Sequence, residues 1–417
     1  MMFSFRQLFA YGLFGLPLSL LALPVYVQVP QLYAGTLGLS LTAVGGVLLA
    51  ARLFDAFIDP VLGGWMDRSG VKRGHTGFVL MSLVPLTVGY LALFHPPAMP
   101  TNQLYGWFGL SLVVVYVGFS MATIAHNSWG ASLTQQRGER ARLTATREAC
   151  ALVGVILAAA LPMLIGMAGL SAVFVSLLAM TAFVLLRFAP RAQMQLGEGA
   201  AHSVLLPLRE RQFRWLLAVF AINGIAAAIP ATLFMFFASD GLQLPEYAGL
   251  FLVLYFVAAA LALPAWAKLA AHVGEARAWL AGMLLAVAAF VWTAQLETGA
   301  LLPFAVICVL SGMALGADLA LPPALLAGVI GAAGHSGQRE GAYFGLWSWM
   351  TKLNLALAAG IALPLLDWLG YVPGHAGHAG HASDDGLRAL VIAYALLPCG
   401  LKVCAGLLLW RSPLRQV

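Results

Sequence analysis

Twelve long apolar segments, separated by short polar breaks, run almost the full length of the chain. A helix needs about 20 apolar residues to cross the hydrocarbon core of a bilayer, which is close to the length of these segments. Of the 417 residues, 61% are hydrophobic and only 9% are charged, whereas a soluble domain has about 25% charged residues. Such a chain does not have enough polar groups to cover its surface in water. We therefore predict an all-α integral membrane protein whose surface is in contact with membrane lipids.

The apolar segments divide into two sets of six. The longest break, over residues 190–212, carries the polar stretch "RAQMQLGEGAAHSVLLPLRERQFR". We therefore predict an N-terminal bundle over residues 1–189, a cytoplasmic linker over 190–212 and a C-terminal bundle over 213–417. The predicted spans 1 to 12 are 6–32, 42–66, 77–95, 104–132, 143–167, 170–189, 213–238, 246–270, 276–295, 301–330, 341–369 and 386–410.

The basic residues indicate the orientation of these spans. Most of the 22 Lys and Arg residues lie in alternate breaks, and the remaining breaks contain mainly Asp and Glu. Cytoplasmic loops of membrane proteins are enriched in Lys and Arg, so both termini are predicted to lie on the cytoplasmic side of the inner membrane. The net charge of +6 then reflects topology, and no nucleic-acid partner is predicted.

Span 2 contains three charged residues, Arg52, Asp55 and Asp59. At helical spacing they lie on one face about 60° wide. Each charge at the middle of a bilayer costs about 2.5–3.5 kcal/mol, so this face is predicted to point into a protein or water-filled interior. Two carboxylates one turn apart can hold a desolvated Na⁺ or share a proton, with Arg52 as a charge partner. The alternative is an ion-pair cluster that only holds helices together.

The segment after span 2, "GGWMDRSGVKR", matches the loop motif of the major facilitator superfamily (MFS) at Gly63, Asp67, Arg68, Gly70 and Arg73. Together with "ERARLTATREACALVG" and "QREGAYFGLWSWMTKLNLALA", the stretch "ARLFDAFIDPVLGGWMDRSG" resembles the glycoside–pentoside–hexuronide:cation symporters, the melibiose-permease family. The resemblance implies the MFS fold, with twelve transmembrane helices in two pseudo-symmetric six-helix bundles. It also implies a monomeric secondary transporter that works by alternating access and uses no cofactor besides its coupling ion.

The resemblance also implies roles for individual residues. Asp55 and Asp59 match the acidic pair that binds the coupling cation, and Lys352 matches the span 11 lysine that faces this pair. Arg147 matches the arginine at the solute site, and Trp129 matches an aromatic residue that packs against sugar. An alternative for Arg147, which lies about one turn into span 5, is that its side chain reaches back to the membrane interface.

The chain departs from the family where further acids are expected. The positions near Pro17 in span 1 and Ala125 in span 4 have no carboxylate nearby. With fewer oxygen ligands for Na⁺, H⁺ is favoured as the coupling ion. Other polar residues are predicted to bind substrate in place of the missing acids, with helix–helix hydrogen bonding as the alternative role. These are His126 and Asn127 in span 4, Asn223 in span 7 and Asp318 in span 10.

The sequence therefore predicts a symporter that couples H⁺, in preference to Na⁺, to a small organic solute that is sugar- or glycoside-like or an organic anion. One alternative is a symporter of an amphipathic or lysolipid-like molecule. Another is a transition-metal (copper) importer, in which His375, His378 and His381 of the external stretch "GHAGHAGHASDDG" form a weak metal site. Enzymatic motifs such as a nucleophile elbow or a phosphate-binding glycine loop do not occur in the sequence, so no enzyme is predicted.

Overall fold

The computed structural model describes residues 3–134, 136–190, 205–368 and 384–416. Within these ranges the chain forms α-helices with short 3₁₀ and π segments, and no strand occurs there. This confirms the predicted all-α fold. The helices are α1 Phe5–Gly12, α2 Gly15–Pro30, α3 Leu41–Phe94, α4 Thr101–Leu133, α5 Arg137–Phe188, α6 Arg211–Phe236, α7 Ala248–Val273, α8 Glu275–Phe290, α9 Leu301–Ala332, α10 Glu340–Trp368, α11 Asp384–Val391 and α12 Leu397–Arg411.

The predicted spans correspond to these helices in chain order, with two kinds of exception: spans 1 and 12 are each divided into two helices (α1 and α2, α11 and α12), and two helices contain two spans each. Helix α3 covers spans 2 and 3, and its helical assignment continues through residues 67–76, where a break was predicted. Polarity marks the end of a hydrophobic segment, whereas a backbone helix ends only where capping residues or Pro stop it, and no Pro lies between residues 61 and 84. Hydropathy therefore separated two apolar segments and missed the continuity of the helical backbone between them.

Helix α5 covers spans 5 and 6 and is divided by Gly166. This glycine has φ 68° and ψ −178°, values outside the helical region, inside a run from Arg137 to Phe188. A positive φ is costly for residues with a Cβ atom and is readily adopted by glycine. The kink lies within the last two residues of predicted span 5, so Gly166 separates the two spans.

Helix starts follow from local capping. Ser40 precedes α3, and its hydroxyl accepts a hydrogen bond from the Ala43 backbone N–H at 3.2 Å. Ser4 and Gln7 form a reciprocal capping box at the start of α1. These side chains satisfy N–H groups that have no partner inside a helix. Arg52, Asp55 and Asp59 lie on the same continuous helix that begins at the Ser40 cap, α3.

The chain divides into two compact units. Unit 1 comprises Met1–Arg209 and Ile330–Trp349, and unit 2 comprises Glu210–Val329 and Met350–Val417. The boundary at 209–210 lies inside the predicted linker, 190–212. Segment 330–349, which had been assigned to the C-terminal bundle, groups with unit 1.

Nine helical segments within the described residues are long and apolar enough to cross a membrane. Asp55 and Asp59 lie on α3, Arg147 on α5 and Lys352 on α10.

Candidate functional site

The predicted acidic pair lies in the interior of unit 1. Asp55 is 6% exposed and Asp59 is fully buried. The Ser120 hydroxyl on α4 donates a hydrogen bond to Asp55 Oδ1 at 2.9 Å. Placing two carboxylates away from lipid agrees with the high cost of exposing a charge to hydrocarbon. Their shared face of α3 is thus packed against α4.

The role of Ser120 was missed in the sequence, although a signal for it exists. Ser120 precedes Asn127 by seven residues, which places both on the same face of α4. Thr123 lies between them on this face, and its hydroxyl oxygen is buried with no hydrogen-bond partner among the described residues. The face of α4 that contacts Asp55 therefore offers hydroxyl groups as well as an amide.

Arg52 and Lys352 are the two residues predicted as charge partners of the acidic pair. Arg52 lies one turn before Asp55 on α3 and is half-buried. Lys352 is half-buried on α10, in the part of that helix that belongs to unit 2. Both residues make interactions in the structure.

The loop motif packs α3 tightly against the start of α10. A Cβ atom on Gly341 would lie 2.4 Å from the Gly63 carbonyl oxygen, and one on Gly345 would lie 2.7 Å from the Asp59 carbonyl oxygen. Such distances are far shorter than van der Waals contact, so glycine is required at this crossing. The backbone that carries Asp59 is thereby in direct contact with α10.

Asp67 of the same motif caps α10. Its carboxylate accepts hydrogen bonds from the backbone N–H groups of Gly341 and Ala342 at 2.8 and 2.7 Å. A carboxylate at a helix N-terminus satisfies free N–H groups and interacts favourably with the helix dipole. Asp67 lies beyond the end of predicted span 2. Burial raises the pKa of Asp67 to about 8, and the two N–H groups act in the opposite direction.

The remaining motif positions are described only in part. Arg68 is exposed and makes interactions. Gly70 and Arg73 belong to α3, but their surroundings are outside what the structure describes. His375, His378 and His381 lie outside the described residues. In the part of the chain that the structure describes, no group of three or more His, Cys, Asp or Glu residues is arranged to hold a metal ion.

The structure brings together two of the predicted substrate-binding residues of unit 1. Arg147 on α5 donates hydrogen bonds to the Asn127 side chain on α4 and to Glu148 Oε1, the latter through Nε at 3.0 Å and Nη2 at 2.5 Å. The Arg147 side chain is 11% exposed. Its bond to Asn127 favours an interior position over extension to the membrane interface. Glu148, the anionic partner of Arg147, was not singled out in the sequence.

His126 and Trp129 have helix-packing partners in this structure. The His126 ring Nε2 is 2.8 Å from the Tyr11 carbonyl oxygen, and the Tyr11 hydroxyl donates to the His126 carbonyl oxygen at 3.1 Å. Trp129 Nε1 donates to the Pro190 carbonyl oxygen at 2.9 Å. The His126–Tyr11 bonds are of the helix–helix kind that the sequence left open as the alternative for His126, whereas Trp129 contacts the segment that follows α5.

A second polar cluster lies inside unit 2. The Asp318 carboxylate accepts hydrogen bonds from Lys402 Nζ at 2.6 Å, Trp279 Nε1 at 2.8 Å and Asn223 Nδ2 at 3.0 Å. Lys402 also donates to Asn223 Oδ1 at 2.8 Å. The cluster joins α6, α8, α9 and α12. Asp318 and Asn223 were predicted as substrate-binding, whereas Lys402 and Trp279 were missed; a lysine inside an apolar span was the available signal for Lys402.

An all-α chain with two units and buried charges inside membrane-length helices has the properties of a membrane transporter. The family of MFS/sugar transport proteins matches residues 8–416 of the chain. The chain belongs to this family, and it is a transporter and not an enzyme. This confirms the family and the MFS fold that the loop motif and the charged stretches predicted.

Individual relatives agree with this assignment. The chain is 22% identical over 408 residues to the glucuronide carrier protein homolog of Escherichia coli, which covers 92% of this chain and 86% of that protein. It is 23% identical over 423 residues to the isoprimeverose transporter of Lactiplantibacillus pentosus, covering 95% and 86%. A crystal structure of a bacterial homologue of the iron transporter ferroportin, in an outward-facing state, has a TM-score of 0.73 at 16% identity, covering 97% of this chain and 98% of that one. At this identity the structural likeness concerns the fold alone.

Proposed function

We propose that this chain is a secondary active symporter that couples the entry of H⁺ to the uptake of a small polyhydroxylated or anionic organic solute by alternating access. It operates in the inner membrane with both termini in the cytoplasm. The observation that carries the proposal is the buried acidic pair, Asp55 and Asp59, in a member of a sugar-transport family. Buried ionisable residues in membrane helices mark ion pathways and proton relays.

The surroundings of the acidic pair favour H⁺ over Na⁺. A desolvated metal cation needs several oxygen ligands arranged around it. The pair supplies two carboxylates, and Ser120 is the hydroxyl seen bonded to Asp55. A proton requires only one carboxylate oxygen, and two neighbouring carboxylates readily share one because both are unfavourable when charged together.

Protonation then couples ion binding to helix movement. With both carboxylates charged, the face of α3 carries two negative charges against the one positive charge of Arg52, and this face is costly to move through an apolar environment. Adding H⁺ lowers this charge. The close contact of Asp59 with Gly345 places α10 directly against the backbone of the pair, so a change in charge acts at a helix crossing with little free space.

The solute is proposed to meet Arg147 and Asn127. A guanidinium group binds carboxylates through two parallel hydrogen bonds, and an amide can exchange hydrogen bonds with hydroxyl groups. In this structure Arg147 is held by Glu148 and Asn127. A uronate-like or other hydroxylated acid offers the same groups and would replace Glu148 as the partner of Arg147. The relatives named as carriers of a glucuronide and of isoprimeverose support a solute of this class.

Uptake by proteoliposomes tests the proposal. Purified protein is reconstituted, a pH gradient or a Na⁺ gradient is imposed, and accumulation of radiolabelled glucuronides and pentose- or hexose-containing glycosides is measured. We expect accumulation driven by the pH gradient. Asp55→Asn and Asp59→Asn should each abolish accumulation while leaving exchange of solute across the membrane measurable.

A matched control is Glu246→Gln, which removes an exposed carboxylate of unit 2 and should accumulate solute like the original protein. Accumulation at the original level by the Asp55→Asn/Asp59→Asn double variant contradicts the proposed role of the pair. Accumulation that follows only the Na⁺ gradient contradicts the choice of H⁺.

A further inference from the structure

A cavity of about 390 Å³ lies inside unit 2, among α6, α7, α8, α9 and α12. Its wall is formed mainly by aromatic and aliphatic side chains, including Phe251, Tyr255, Phe290 and Phe304. Small-molecule sites are typically about 300–1,000 Å³, largely apolar and fitted with a few polar groups. The cavity matches this description in size and lining.

The polar groups of the cavity are concentrated at the Asp318–Lys402 pair, both members of which line it. Asp318 accepts hydrogen bonds from Lys402, Trp279 and Asn223, so its negative charge is met by three donors. Lys402 has three N–H groups, and within the described residues two of them are used, by Asp318 and Asn223. One N–H group of a positively charged side chain is left for a ligand.

We propose that this cavity is a ligand site for an amphipathic carboxylate, a molecule with an aromatic body and one carboxylate group. The aromatic body packs among Phe251, Phe290 and Phe304 through offset or edge-to-face ring contacts. The carboxylate accepts the remaining Lys402 N–H in a charge-assisted hydrogen bond. An amine head is disfavoured, because it would meet the ammonium group of Lys402, and three of the roughly four acceptor sites of the Asp318 carboxylate are already used.

This site is separate from the one proposed to bind the transported solute at Arg147 and Asn127, which belongs to unit 1. All residues that line the cavity belong to unit 2. Binding of a ligand to this cavity is measured as an affinity and needs no transport of that ligand. The inference therefore does not rest on the proposed direction, coupling ion or solute of transport.

Binding by three ligands with the same body tests the inference. Full-length protein in lipid nanodiscs, which avoids filling the cavity with detergent, is titrated with 4-phenylbutyrate, 4-phenylbutyramide and 4-phenylbutylamine in a calorimeter. We expect the carboxylate to bind at least about tenfold more tightly than the amide, since a charged acceptor forms the stronger hydrogen bond. We expect the amine to bind more weakly than either.

Two variants locate the binding. Lys402→Met removes the donor and should weaken carboxylate binding at least about tenfold. Because this change leaves Asp318 without its cation and can prevent folding, Ala231→Phe provides an independent test. Ala231 is exposed and lines the cavity, so a phenyl ring there occupies the space of the ligand and should also weaken binding at least tenfold.

The control is Ala218→Phe, which makes the same change at an exposed position on α6 away from the cavity lining and should bind 4-phenylbutyrate like the original protein. Equal binding of the amide or the amine overturns the proposed carboxylate specificity. Failure of the carboxylate to bind, or binding that Ala231→Phe leaves unchanged, overturns the site itself.

Discussion

Ser120 connects α4 to the acidic face of α3 through its hydrogen bond to Asp55. Removing this donor with Ser120→Ala makes the charged form of the carboxylate less favourable relative to the protonated form, because hydrogen bonds to a carboxylate stabilise its charge. We expect the pH of half-maximal uptake to rise by about one unit, which corresponds to about 1.4 kcal/mol. The measurement is initial uptake into proteoliposomes as a function of external pH.

Ser111→Ala is the control for this change. Ser111 is also buried on α4, but its hydroxyl donates to the Phe108 carbonyl oxygen of its own helix, 3.0 Å away. Its removal should leave the pH profile in place. A profile that is identical in the Ser120→Ala protein and the original protein contradicts a role for Ser120 in proton binding.

Candidate functional residues could be predicted from the sequence where the residue type alone was unusual for its position. A charge inside an apolar span is unfavourable unless it faces the interior, and this was enough to identify Asp55, Asp59 and Asp318. Partners were less predictable, because pairing depends on how helices pack. Lys402 follows Asp318 by 84 residues, and the sequence did not indicate that its ammonium group would lie 2.6 Å from Oδ2 of that carboxylate.

Helix crossings depend on glycine where α3 meets α10. A Cβ atom at Gly341 would lie 2.4 Å from the Gly63 carbonyl oxygen and 2.6 Å from Asp67 Oδ1. Gly341→Ala must therefore push α3 and α10 apart or displace the Asp67 cap. We expect a loss of about 1–3 kcal/mol in stability, the usual cost of overpacking, together with reduced uptake. Thermal unfolding of the purified protein and proteoliposome uptake measure the two effects.

Gly45→Ala is a matched control on α3, since an added Cβ at this position meets no atom within 4 Å. It should unfold at the original temperature or slightly above, because alanine favours helix over glycine. Equal thermal stability of the Gly341→Ala and Gly45→Ala proteins contradicts the requirement for glycine at the crossing.

At the level of elements, the sequence predicted the spans better than their boundaries. The loop motif was recognised from its residues alone, and the partner of its Asp67, the start of α10, lies about 270 residues away in the chain. The kink at Gly166 and the unbroken helical assignment of α3 were not predicted. Hydropathy measures polarity, and these features depend on backbone conformation and on contacts between distant segments.

The buried charges of the whole molecule are distributed over several helices. Asp55 and Asp59 lie on α3, Arg147 on α5, Asp318 on α9 and Lys402 on α12. A buried charge in a membrane protein needs a partner or a polar cavity. The Arg147–Glu148 pair meets this need within unit 1, and the Asp318–Lys402 pair meets it within unit 2.

The distribution of basic residues around the spans leads to a prediction for the orientation of the whole chain. Residues 205–214 contain Arg209, Arg211 and Arg214, whereas the short segment between α8 and α9 contains Glu297 and no basic residue. Since Lys and Arg are retained on the cytoplasmic side, residue 210 should be cytoplasmic and residue 298 external. Alkaline phosphatase, which is active only outside the cytoplasm, and green fluorescent protein, which fluoresces when folded inside it, are fused in turn after residues 210, 298 and 417.

We expect fluorescence without phosphatase activity for the fusions after residues 210 and 417, and the reverse after residue 298. Replacing Arg209, Arg211 and Arg214 together with Asn in the fusion after residue 210 should weaken the preference, because the retained positive charges hold that segment inside. Phosphatase activity after residue 210 or 417 in the original sequence contradicts the proposed orientation. An even number of predicted spans separates Asp67 from residue 210, so the two lie on the same side of the membrane. Phosphatase activity after residue 210 would therefore place the loop motif outside the cytoplasm as well.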